Sequence, residues 1–115
     1  MVDDKKLYEL HAEMCKTMAH AKRIEIIYLL QEGEMHVDEL AREMGASKAN
    51  VSQHLAKLRA KGVVCTRKEG LKVYYKICNP KLIKACDLMK EIMLERLSEQ
   101  IDLSKEILEK EVKLQ

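Results

Sequence analysis

The chain has 115 residues, a length that suits one domain with a single modest core. Apolar residues make up 47% and charged ones 35%, with no Phe or Trp, so the core must be Leu, Ile, Val, Met and Ala, which suits packed helices. No stretch of about 18 uncharged apolar residues is present to span a bilayer, and the charged N-terminus lacks an apolar signal segment, so a cytoplasmic, non-membrane protein is expected.

The net charge of +2 is unevenly spread: residues 42–76 hold 9 basic and 2 acidic side chains, while residues 1–41 carry a net −4 and residues 77–115 a net −1. Such a basic middle points to a polyanion, most simply nucleic acid. Charge alone leaves a merely solvated basic surface as the alternative.

In chain order, the first helix is expected over about residues 4–19, where Leu7, Leu10, Met14 and Met18 share one face, with His11 and Cys15 beside them. A second covers about residues 22–31, and Gly33 follows it as a stop signal. Val37, Leu40, Ala41 and Met44 then make a short amphipathic helix, Gly45 and Ala46 a tight turn, and Ser47 an N-cap. In the helix that follows, Val51, Leu55 and Leu58 form an apolar stripe. Its other face, Ser47, Lys48, Asn50, Ser52, Gln53, His54 and Lys57, has no acid and is rich in hydrogen-bond donors. Gly62 closes it.

The period then changes to two. Residues 63–67 and 71–77 read as a β-hairpin with Gly70 in its link and Arg67, Lys68 and Lys72 around its tip. Asn79 and Pro80 open a final helix whose stripe of Leu82, Cys86, Met89, Met93 and Leu97 can extend through Ile101 and Leu108. So long a stripe exceeds what a small domain can cover, and a second chain is the obvious partner. Residues 98–104 are the place where this helix could break in two. Residues 1–97 read as the DNA-binding domain and 98–115 as a C-terminal helical extension.

A short helix, a Gly turn and a polar basic helix make a helix-turn-helix, and the basic hairpin fits a wing lying along phosphates. The fold class is therefore mainly α with a small β-hairpin, a winged helix-turn-helix. The stretches "MAHAKRIEIIYLL", "VDELAREMGASKANVSQHLAKLRAKGVV" and "RKEGLKVYYKI" resemble the ArsR/SmtB family of winged-helix transcriptional repressors over about residues 15–84. The resemblance implies a homodimer paired through its first and last helices, a double-stranded operator of two-fold character and an inducer that releases it. It places Lys48, Ala49, Ser52 and Gln53 at base-facing positions. Ser52 and Gln53 are the expected base readers, and Ala49 can offer only an apolar contact. Ser47, Asn50, His54 and Lys57, with Arg67, Lys68 and Lys72 on the wing, are expected on phosphates. The alternatives are a packing role for His54 and plain solvation for Lys57.

Family sensors of arsenic and cadmium often carry "ELCVCDL"; here the matching stretch is "EMHVDEL", so His36 and Asp38 replace both cysteines and are expected to cap and solvate the start of the next helix, zinc binding with help from other ligands being the alternative. Zinc and cobalt sensors use positions that here read Asn79, Lys81, Ile92 and Glu95, and only Glu95 could be a ligand. Some relatives sense oxidants or reactive sulfur through a cysteine pair, but their usual positions fall near Tyr28 and Leu94 here. The remaining effector candidates are Cys15 and Cys86, which the family's helix pairing could bring together for thiol oxidation or reactive sulfur. With His11 they could instead hold a thiol-binding metal or arsenite ion, the one cofactor under consideration. Inert packing is the third reading. Cys65 is expected as strand filler, Cys78 is left open, and all four cysteines are expected as thiols in a cytosolic chain.

A winged helix used only for protein contacts is a competing reading. No phosphate-cradling Gly loop, nucleophile elbow or catalytic histidine–carboxylate pair appears, so no enzyme is expected.

Overall fold

The computed structural model describes residues 4–114. They form α1 (Asp4–Met18), α2 (Ala21–Leu30), β1 (Met35–His36), α3 (Val37–Met44), α4 (Lys48–Ala60), β2 (Val64–Glu69), β3 (Lys72–Ile77) and α5 (Lys81–Leu114). The chain divides into two compact units, Met1–Ile83 and Lys84–Gln115. The first holds a mainly helical winged helix-turn-helix, and the second consists of α5 from Lys84 on.

The core of the first unit is aliphatic. Ile26, Ile27 and Leu30 of α2, Leu40 of α3, Val51, Leu55 and Leu58 of α4, and Val63 and Val64 before and within β2 are buried together. Burying each such side chain contributes roughly 1.5–3 kcal/mol. The spacing of Val51, Leu55 and Leu58 is what turns one side of α4 inward and leaves its polar side out.

The sheet is antiparallel and has three strands in the order β1-β3-β2. In the hairpin Val64 faces Ile77 and Glu69 faces Lys72, with Gly70 at φ 62° in the turn, a left-handed conformation that suits glycine. The third strand was not expected from sequence. Met35 and His36 pair with Tyr75 and Tyr74, and β1 runs directly into α3, so the wing is tied to the start of the helix-turn-helix. His36 then caps α3 as expected: its Nδ1 accepts the Asp38 N–H at 3.2 Å, and its own N–H donates to Glu39 Oε1 at 3.3 Å.

Two further expectations need correction or closure. Cys65 is not strand filler, nor are all four cysteines thiols: Cys65 and Cys78 form a disulfide, with Cα atoms 5.2 Å apart. The thirteen-residue separation hides this, because only the folded hairpin brings the two together. The final helix does not break at residues 98–104. α5 is continuous, since nothing between Lys81 and Leu114 is Gly or Pro, and Asn79 Oδ1 accepts the Lys81 N–H at 3.0 Å to start it.

Candidate nucleic-acid interface

The turn between α3 and α4 is built by Gly45, left-handed at φ 60°, and Ala46, whose N–H donates back to the Ala41 carbonyl at 3.0 Å. Ser47 then caps α4, its hydroxyl accepting the Asn50 N–H at 3.1 Å. These two devices fix the angle at which α4 leaves α3. With Val51, Leu55 and Leu58 each 0% exposed, the opposite face presents Lys48, Ala49, Ser52, Gln53 and Lys57 to solvent, with Ser47 exposed at its start. A helix of this diameter fits the B-form major groove, where short polar side chains reach base edges.

Several of the predicted residues already have protein partners. Lys48 Nζ lies 2.9 Å from Asp38 Oδ1, and that ammonium holds the Asp38 carboxyl below the usual carboxylate range. Asn50 is half-buried, and its Oδ1 accepts from Lys22 Nζ of α2 at 3.0 Å. His54, expected on phosphates, lies inside instead, at 9% exposure. Its Nδ1 accepts from Arg23 Nε at 3.2 Å, and its ring sits 4.5 Å from that of His20. Burial, and then the charges of His20, Arg23, Lys22 and Lys57, push its pKa below the ordinary value. His54 is thus the packing histidine of the alternative reading.

On the wing, Lys68 and Lys72 are exposed. Arg67 is exposed too, but its Nε donates to Glu34 at 3.0 Å and its Nη1 to Glu69 at 3.0 Å, while its guanidinium stands 5.0 Å from the Tyr74 ring centroid. The two carboxylates raise its pKa further. Tyr74 also meets the edge of His36, at 5.7 Å between centroids, so one stack joins the wing to the N-cap of α3.

Sequence reasoning missed His20, Lys22, Arg23 and Glu34, whose partners His54, Asn50 and Arg67 are distant in sequence; His20 also caps α2, its Nδ1 accepting the Lys22 N–H at 3.3 Å. The effector candidates are less developed: Cys15 is exposed on α1 and Cys86 half-buried on α5, where burial and then Asp87 push its thiol pKa up. Among the described residues, no group of three or more His, Cys, Asp or Glu could hold a metal ion. Among them, too, no helix is long and apolar enough to cross a membrane.

The family model for bacterial regulatory proteins of the arsR family matches residues 20–66, from α2 to the first residues of β2. An uncharacterized HTH-type transcriptional regulator of Mycobacterium tuberculosis, Rv0081, is 35% identical over 101 residues, which span 87% of this chain and 89% of the relative. The chain belongs to the ArsR family. Solved structures agree with its winged helix-turn-helix: Rv0081 superposes with a TM-score of 0.77 at 36% identity, covering 83% of this chain and 96% of that one. A homodimeric winged helix-turn-helix DNA-binding domain from Mycobacterium bovis, Mb0332, gives 0.77 at 29% identity over 86% and 93%. The transcriptional repressor PagR of Bacillus anthracis is 39% identical over 72 residues, 62% of this chain and 72% of PagR. This ArsR-family chain is accordingly a DNA-binding transcriptional regulator in class.

Proposed function

We propose that the protein is a homodimeric repressor that binds a two-fold DNA operator through α4 and the wing and leaves it when an inducer acts. The observation that carries this reading is the acid-free outer face of α4, held outward by the buried Val51–Leu55–Leu58 stripe, together with the exposed wing cations Lys68 and Lys72. Ser52 and Gln53 read base edges, and Ala49 lies against the groove. Ser47, Lys48 and Lys57 hold phosphates with the wing cations.

The dimer reading rests on apolar side chains that α1 and α5 leave exposed: Leu7, Leu10 and Met14 on the first, Met89, Met93 and Leu97 on the second. Patches of this kind mark association surfaces. For the inducer we favour thiol chemistry at Cys15 and Cys86, with a thiol-binding metal or arsenite, drawing also on His11, as the alternative. The domain reading is residues 1–97 for DNA and dimer, and 98–115 for an extension.

Footprinting on DNA from just upstream of the protein's own gene tests the proposal. Two protected half-sites related by a two-fold axis are expected, centred about one helical turn or a multiple of it apart. Uniform protection or none contradicts it.

A further inference from the structure

We propose that Cys65 and Cys78 are a reversible thiol–disulfide modification site that sets the base of the wing, the bridged form binding DNA more tightly than the dithiol. The readout of this switch rests on the DNA-binding reading above.

Cys65 faces Lys76 in the hairpin ladder, and Cys78 lies two residues beyond Lys76. The two cysteines are therefore diagonal neighbours on one face. The Cys78 N–H also donates to the Val63 carbonyl at 3.1 Å, which draws the ends together. The bridge closes a loop that contains all of the wing but Val64, including Arg67, Lys68 and Lys72. Its other end adjoins Asn79, the residue that starts α5.

Two features suit it to reversal. Both cysteines are half-buried, so small thiols and disulfides can reach them. The fold also has other means of holding the hairpin base: Val63, Val64 and Ile77 are buried there, and Val64 pairs with Ile77. Reduction should thus loosen the wing without unfolding the core. A wing held in its bound geometry loses less freedom on binding, which favours the bridged form.

The oxidant class is a low-molecular-weight disulfide such as oxidised glutathione. One cysteine thiolate attacks it, forming a mixed disulfide and expelling one small thiolate. The second cysteine thiolate then attacks the protein sulfur of that mixed disulfide, forming the S–S bond and expelling the other. The protein loses two protons and two electrons, and the small disulfide is reduced to two thiols. Excess small thiol runs the sequence backward.

The test uses the full chain carrying Cys15→Ser and Cys86→Ser, so that only this pair can react. It is equilibrated in reduced and in oxidised glutathione, alkylated and weighed, and each form is titrated against labelled DNA from upstream of its gene. The expected result is no alkylation in the oxidised form and a Kd lower by about fivefold or more than in the reduced form. A chain that also carries Cys65→Ser and Cys78→Ser should bind with the reduced-form Kd under both conditions. Alkylation of both cysteines at the oxidised end overturns the proposal, as does tight and equal binding by the two forms. Absence of binding in both forms overturns the DNA-binding reading itself, and the switch with it.

Discussion

Arg23 of α2 donates its Nε–H to Nδ1 of His54 on α4 at 3.2 Å, and its Nη1 donates to the Thr17 carbonyl at the end of α1 at 2.8 Å. One guanidinium therefore fastens α4 to α2 and α1. Removing Arg23 leaves two acceptors in partly buried surroundings without that donor. Arg23→Ala should cost about 1–3 kcal/mol of stability, read as a lower urea midpoint at unchanged slope. An unchanged midpoint would show that the link is idle.

The same bond makes His54 a source of acid sensitivity. Its Nδ1 must stay unprotonated to accept, and burial lowers its pKa from the ordinary value of 6.5. The unfolded chain thus binds the proton more readily than the folded one. The contribution is fully present above about pH 6.5 and is lost as pH falls through the lower folded value. Urea midpoints at pH 7.5 and 5 should differ more for the wild type than for His54→Gln. Equal differences would remove His54 as the cause.

If Arg67 meets phosphates as proposed, Glu34 competes with DNA for its charge. Their ion pair is exposed, so it adds little to folding. Arg67→Ala should weaken binding to all sequences alike, because phosphates carry no sequence. Glu34→Gln should strengthen binding to all sequences, since it removes one of the two carboxylates that hold the guanidinium, Glu69 being the other. Anisotropy on random duplex DNA reads both, and a loss of affinity in Glu34→Gln would contradict the competition.

α5 continues well past Leu97 with Ile101, Leu103, Ile107, Leu108 and Val112 exposed. If these zip two copies together, truncation after Leu97 should shift sedimentation at micromolar concentration toward monomer. Unchanged sedimentation would leave the extension without a role in the dimer.

The helix-turn-helix was legible because its signals are local. Ser47 announces α4, Gly45 the turn, and the spacing of Val51, Leu55 and Leu58 the inward face. β1 was not, since Met35 and His36 are two half-buried residues and two residues carry no period. The bridge between Cys65 and Cys78 follows from the hairpin register, which sequence gives only approximately. His54 was misplaced on the outer face: three residues after Val51 and four before Leu58, it lies on the inward face of α4, where it meets Arg23, 31 residues away. The continuity of α5 was open only because Ser98 and Ser104 suggested a break that no Gly or Pro enforces.

If α4 reads DNA sequence as proposed, Gln53 is the residue whose loss shows it. Anisotropy should compare wild type and Gln53→Ala on the footprinted operator and on random duplex DNA across increasing salt. Wild-type affinity should fall steeply with salt on both. Gln53→Ala should cost about 1–3 kcal/mol on the operator and almost nothing on random DNA. Equal losses on the two DNAs, or none on either, would contradict a base-reading role for this helix face.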